Sequence, residues 1–163
     1  MFALAFSLCP VVVFAWPAAV LHIHDGNTLA VAPGGDTSTP VYVCLYGIDA
    51  PELQQEGGTA ARDALVAHLP SKAQVEIVPM GIDTYGRTVG LVVRDGRVLN
   101  ALMVKEGHAW VYAAQCRAAL CQGWQKAQRT AKDAKLGLWQ AETPVPPWQW
   151  RQRNPDRREE AFP

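Results

Sequence analysis

Net charge is the first thing this 163-residue chain lacks: 15 Lys and Arg balance 15 Asp and Glu. A basic surplus is what holds a protein on nucleic acid regardless of sequence, so tight non-specific wrapping of DNA is excluded. An enzyme that grips a short stretch and lets go is not. Charged residues are sparse at 18%, against 49% hydrophobic, and that balance excludes a disordered chain. A bilayer-spanning helix needs about 20 apolar residues, and the apolar stretch from Met1 to Ala15 falls short of that. Internal repeats are absent. The length suits one domain with a sizeable core.

The Met1–Ala15 stretch has the character of a signal-peptide core, with Val13-Phe14-Ala15 as a cleavage site, although no Lys or Arg precedes it. The competing reading is a buried first strand. Cys9 follows Leu8, where a lipoprotein signal wants a small residue. The expected division is therefore a signal peptide over 1–15, a domain over 16–150 and a charged, disordered tail over 151–163, with the protein exported to a periplasm or secreted. Export would leave three of the four cysteines. In an oxidising compartment Cys116 and Cys121 would pair, leaving Cys44 as the odd thiol; in a reducing one all would stay free.

Hydrophobic patterning gives strands at residues 19–23 and 28–32, joined through the Asp25-Gly26-Asn27 turn, and further strands at 41–46, 75–79 and 89–93. Helical spacing marks 59–68, with Thr59 as its N-cap, a short segment from Val98 ending at Gly107, and a polar helix over 124–136 ending at Gly137. From Pro144 onward the chain, rich in Pro, Trp and Arg, reads as extended. Five short strands with interspersed helices suggest an α+β, mainly β architecture. A five-stranded Greek-key barrel of the OB type with about three helices around it is the expected form, although periodicity alone does not single it out.

Three stretches place chemistry at the ends of these strands: His24-Asp25-Gly26-Asn27-Thr28, Gly47-Ile48-Asp49-Ala50-Pro51-Glu52 and Asp83-Thr84-Tyr85-Gly86-Arg87. Carboxylates suit a divalent metal, a glutamate can take a proton from water, and an arginine fork grips two phosphate oxygens. Each motif alone has a bland reading. Asp25 could be a turn former, Asp49 to Glu52 a helix entry at Pro51, and Arg87 a surface residue.

In this order and spacing the three stretches resemble the staphylococcal nuclease (thermonuclease) family. Val98-Leu99-Asn100, Gly107-His108-Ala109-Trp110-Val111-Tyr112 and Leu136-Gly137-Leu138-Trp139 add to the resemblance. It implies an OB barrel, calcium, and hydrolysis of DNA and RNA. It implies that Asp25 acts on the metal's outer shell, that Asp49 and the Ala50 carbonyl ligate it, and that Glu52 activates the attacking water. Arg87 and Tyr85 would lie against the phosphate. Two family members are replaced. Asn27 stands where a second metal-binding aspartate belongs, and Cys44, five residues before Asp49, where a second phosphate-gripping arginine belongs.

Asn27 keeps an oxygen but loses a charge, so calcium affinity should fall. An arginine of this kind is worth about a thousand-fold in phosphoryl transfer, or roughly 3–4 kcal/mol judged as one oxyanion donor. The expectation is a strongly impaired nuclease, with Arg62 a candidate to replace the missing guanidinium. The alternative is a non-catalytic, monomeric OB module that binds DNA or RNA weakly, or a protein partner. A third reading has His22 and His24, alternating on one strand, hold zinc with Cys44, although such pairs are more often surface residues. Cys44 is more simply a small apolar filler.

Overall fold

The computed structural model describes residues 14–116 and 119–155. The signal-peptide expectation over 1–15 falls almost wholly outside them, as does most of the tail. Eight strands and four α-helices follow in chain order. The strands are β1 (Trp16–Ile23), β2 (Thr28–Pro33), β3 (Val41–Leu45), β4 (Ile48–Asp49), β5 (Gln74–Ile82), β6 (Thr88–Arg94), β7 (Arg97–Val98) and β8 (Trp110–Val111). The helices are α1 (Gly58–His68), α2 (Leu99–Lys105), α3 (Leu120–Asp133) and α4 (Pro147–Arg153), with one 3-10 turn at Gly137–Gln140.

The sheet order is β3-β2-β1-β5-β6-β7, and β3 also pairs in parallel with β6. That last pairing closes β1, β2, β3, β5 and β6 into a mixed five-stranded barrel, the OB-type architecture expected from the sequence. Register shifts fall between Val20 and His22 against β2, and between Pro79 and Gly81 against β6. Extra residues of this kind bend strands, which a barrel this small requires. Alternating apolar residues fill the interior: Val20, Leu29, Val31, Val43, Ile77 and Val92 are all buried. Helices α1 and α2 close over them with Leu65, Leu69, Leu99 and Met103. Among the described residues no helix is long and apolar enough to cross a membrane.

The structure lengthens most predicted strands by a few residues, places the helix expected at 124–136 over Leu120–Asp133, and corrects two local readings. Helix α1 starts at Gly58 with Gly57 in the capping position at φ 83°, and no side chain caps it, so Thr59 is not its N-cap. The segment after Pro144 is not extended. Pro146 and Pro147 set the fixed φ that a first helical turn needs, and α4 follows, a fourth helix where about three were expected. Residues Arg151 and Arg153, assigned to the tail by the sequence, end that helix. The Cys116–Cys121 pairing is present as a disulfide leading into α3.

One polar side chain joins helix α2 to the barrel. Asn100 is fully buried, donates from Nδ2 to the Tyr46 carbonyl (3.0 Å) and the Gly90 carbonyl (3.1 Å), and accepts the Val92 N–H (3.1 Å). Its amide is nearly saturated, so truncation leaves three buried backbone groups without partners. At about 1–3 kcal/mol for each unmet group, and allowing for partial relaxation, Asn100→Ala should cost about 3–4 kcal/mol. Urea denaturation checks this, and a loss under 1 kcal/mol would refute the bridging role.

Candidate active site

The β1–β2 turn begins the site. The Asn27 N–H donates to Asp25 Oδ1 (2.8 Å), the side-chain-to-backbone turn that Asp favours. A Cβ on Gly26 would sit 2.7 Å from both the Ala50 and Ala61 Cβ atoms, so only glycine lets the turn press against α1 and the residue after β4. The Asn27 amide oxygen accepts the Ala50 N–H (3.1 Å), and the Asn27 carbonyl accepts the Leu45 N–H (2.8 Å). Asn27 thereby ties three segments together.

Asp49 ends β4, which pairs with β8 through Ile48–Val111 and Asp49–Trp110. Glu52 lies on the tight turn that follows. Gln55, buried beneath it, accepts the Glu52 N–H at Oε1 (3.3 Å) and donates its own N–H to the Glu52 carbonyl (2.8 Å). A Cβ on Gly58 would fall 1.8 Å from the Glu52 carbonyl oxygen, so the start of α1 is packed directly under the glutamate. Across the barrel mouth, Asp83 Oδ1 accepts the Tyr85 and Arg87 N–H groups (2.9 Å each), and its Oδ2 takes Arg87 Nε–H at 2.5 Å. The arginine is thus held by its Nε edge. The Arg87 guanidinium lies 5.3 Å from the centre of the Tyr85 ring.

These groups line one cavity of about 350 Å³, with Asp25, Asn27, Cys44, Asp49, Glu52, Asp83, Tyr85 and Arg87 all on its wall. Of the residues to which the resemblance gives a metal, water or phosphate role, Ala50 is not on the wall; it is buried and bonded to Asn27. Asp25 and Asp49 are 7% and 5% exposed. Burial pushes each carboxyl up to about 6, and proximity to each other and to Glu52 adds to the rise for Asp49. Two desolvated acids in one cavity call for positive charge.

Part of that charge comes from a residue the sequence reading missed. Arg151, on α4, donates from Nη1 to Asp49 Oδ1 (3.0 Å) and Glu52 Oε1 (2.7 Å) and from Nη2 to Asp49 Oδ2 (2.7 Å). Burial works against its charge, and the bonds to Asp49 and Glu52 outweigh that and raise its pKa. Arg62, the candidate named from the sequence, instead pairs with Asp63 on the surface of α1 and is not on the cavity wall. Tyr112, Gln115 and Trp150 also line the cavity. The one local signal was Trp148-Gln-Trp-Arg151 after Pro147, which puts Trp148 and Arg151 on one helical face if that segment is helical.

Among the described residues no three His, Cys, Asp or Glu side chains converge to hold a metal, so His22, His24 and Cys44 do not form a zinc centre. His22 is exposed on β1, while Cys44 contacts Thr28 Oγ1 at 3.6 Å. For a hard cation such as calcium the donor types are suitable, since Asp25, Asp49, Glu52 and Asn27 offer oxygen alone, but the three carboxyls are not gathered round one point and Arg151 already engages Asp49 and Glu52. Cys44 brings no charge. Burial pushes its thiol up to about 11 from an ordinary 9.0. Iodoacetamide at pH 8 should therefore label Cys44 about 100-fold more slowly in the native than in the denatured chain. Peptide mass spectrometry reads that ratio, and equal rates would refute it.

Residues 42–141 match the family model described as Staphylococcal nuclease homologue. A protein of Escherichia coli O157:H7 named an uncharacterized endonuclease is 35% identical over 149 residues, covering 86% of this chain and 93% of its own. A micrococcal nuclease of Shigella flexneri is 35% identical over 141 residues, covering 81% of this chain and 78% of its own. A staphylococcal-like nuclease of Arabidopsis thaliana is 34% identical over 107 residues, 66% of this chain and 32% of its own. With the closed barrel and the three motifs on one cavity wall, these likenesses establish that the chain belongs to the staphylococcal nuclease family.

Proposed function

We propose that this protein hydrolyses phosphodiester bonds of DNA or RNA with the help of calcium, in the cavity between the β1–β2 turn, the β4 exit and the Asp83–Arg87 turn. The observation that carries this is the shared wall: Asp25, Asn27, Asp49, Glu52, Arg87 and Tyr85 all line the one cavity. Calcium, held by Asp25, Asn27 and Asp49 with the Ala50 carbonyl, would supply positive charge to the phosphate oxygens. Every other task falls to side chains. Glu52 takes a proton from the attacking water. Its Oε1 is engaged by Arg151, and its Oε2 accepts no hydrogen bond from the described residues, which suits that oxygen to the water. As the new oxygen–phosphorus bond forms and the bond to the leaving oxygen breaks, negative charge grows on the phosphate. Arg87 opposes that charge. Burial alone would raise the Asp83 pKa, but bonds to Arg87 and Tyr85 hold it below the usual carboxylate range, so Asp83 stays ionised and fixes Arg87 in place.

Asn27 weakens the cation site by one charge, and Cys44 gives the phosphate nothing, so the barrel itself supports a slowed enzyme. The Cys116–Cys121 disulfide supports export, because such bonds persist in oxidising compartments. Cleavage of a single-stranded oligonucleotide and of RNA, titrated with calcium, tests the reading. Glu52→Gln should lower kcat by about 100- to 10,000-fold, as loss of a general base does. Asn27→Asp should lower the calcium concentration needed for half-maximal rate by about ten-fold, the equivalent of about 1.4 kcal/mol. Binding of oligonucleotides without calcium-dependent cutting by the unchanged protein would overturn the enzymatic reading in favour of a binding module.

A further inference from the structure

The family region ends at residue 141, so helix α4 lies beyond it. Two contacts fix α4 against the site. Gln55, whose other end supports the Glu52 turn, donates from Nε2 to the Val145 carbonyl (2.6 Å) just before the helix. Trp148, on its first turn, packs on Tyr112 (centroids 5.3 Å apart) and edge-on against Trp110 (5.8 Å). Trp110 pairs in register with Asp49 itself. One helical turn past Trp148, Arg151 enters the same cavity that Cys44 lines.

A guanidinium has five N–H groups. Arg151 spends the Nη1/Nη2 edge on the two oxygens of Asp49 and the remaining Nη1 hydrogen on Glu52. Its Nε–H and the outer Nη2 hydrogen make no hydrogen bond among the described residues. Those two point the same way from one edge of the plane, the spacing that matches two oxygens of a phosphate. The acids therefore hold the group in one orientation while a second fork remains for an anionic ligand.

We propose that Arg151 is the second phosphate-gripping arginine of this site, supplied by the C-terminal helix in place of the arginine that Cys44 has displaced from β3. This rests on the nucleic-acid reading above. It makes α4 part of the active site. It also gives Glu52 a partner that fixes one carboxylate oxygen, Oε1, in place.

Binding of a fluorescent single-stranded oligonucleotide, measured by anisotropy in EDTA so that nothing is cut, tests the proposal without relying on metal or turnover. Arg151→Gln should weaken binding by about 10- to 100-fold, the worth of one charge-assisted pair. It should also flatten the dependence of log affinity on log salt by about 0.7, the mark of one lost phosphate contact on a single strand. Arg151→Lys should keep the salt slope and lose affinity, because charge remains without the fork. Cys44→Arg should recover most of the lost affinity in the Arg151→Gln background and add little to the unchanged protein. That rescue also guards against a variant that is merely misfolded. If the unchanged protein binds and cuts while Arg151→Gln binds with unaltered affinity and salt slope, the Arg151 role is overturned and the nuclease reading stands. If the unchanged protein neither binds nor cuts, both fall.

Discussion

The structure turns on a problem of charge. Two carboxyls, Asp25 and Asp49, are buried in one cavity with Glu52 beside them, and taking ionised acids out of water is costly unless something positive stands near. Arg151 meets Asp49 and Glu52 with three short hydrogen bonds. Arg87 faces them from the other rim, held by Asp83. On the proposed reading the cavity receives an anion approached by water, with the acids handling a cation and a proton and the guanidinium groups meeting the growing negative charge. Remove Arg151 and Asp49 and Glu52 lose their neutralising partner; remove Asp49 and Glu52 and Arg151 loses the groups that orient it.

The barrel supplies the rigidity that such a site needs. Asp25, Asp49 and Arg87 lie at or beside strand ends, and the turns that carry the acids are tied by bonds to other segments. Asn27 joins the first turn to β3 and to Ala50, Gln55 joins the Glu52 turn to the approach to α4, and Asn100 fastens α2 to the barrel wall. Misplacement of a reacting group by an ångström costs orders of magnitude in rate, so these polar ties matter to function as much as to stability.

Much of this was legible in the sequence because it is local. Alternation in Val41–Leu45 and Val75–Ile77 marks strands through the period-two rule, Asp25-Gly26-Asn27 marks a turn through side-chain chemistry, and the Asp83–Arg87 loop carries its own internal bonds. Periodicity alone did not single out the barrel; the order and spacing of the three motifs, through the resemblance they carry, pointed to it and to the cavity residues. Helix α4 did not. Its seven residues show no apolar periodicity, and two prolines before it read equally well as the start of an extended run. Arg151 meets Asp49 across a sequence separation of 102 residues, and no local pattern encodes such a contact. Arg62, the substitute named from the sequence, lies on the surface of α1 paired with Asp63.

The central claim is that one phosphate is held between Arg87 and Arg151 above the acids. A double-mutant cycle on kcat/KM for oligonucleotide cleavage, with Arg87→Gln, Arg151→Gln and both together, tests it most directly. Groups that grip one transition state act as a unit, so the account predicts a double variant far less impaired than the product of the two single losses. Losses that multiply independently, or an Arg151→Gln variant as fast as the unchanged protein, would contradict it.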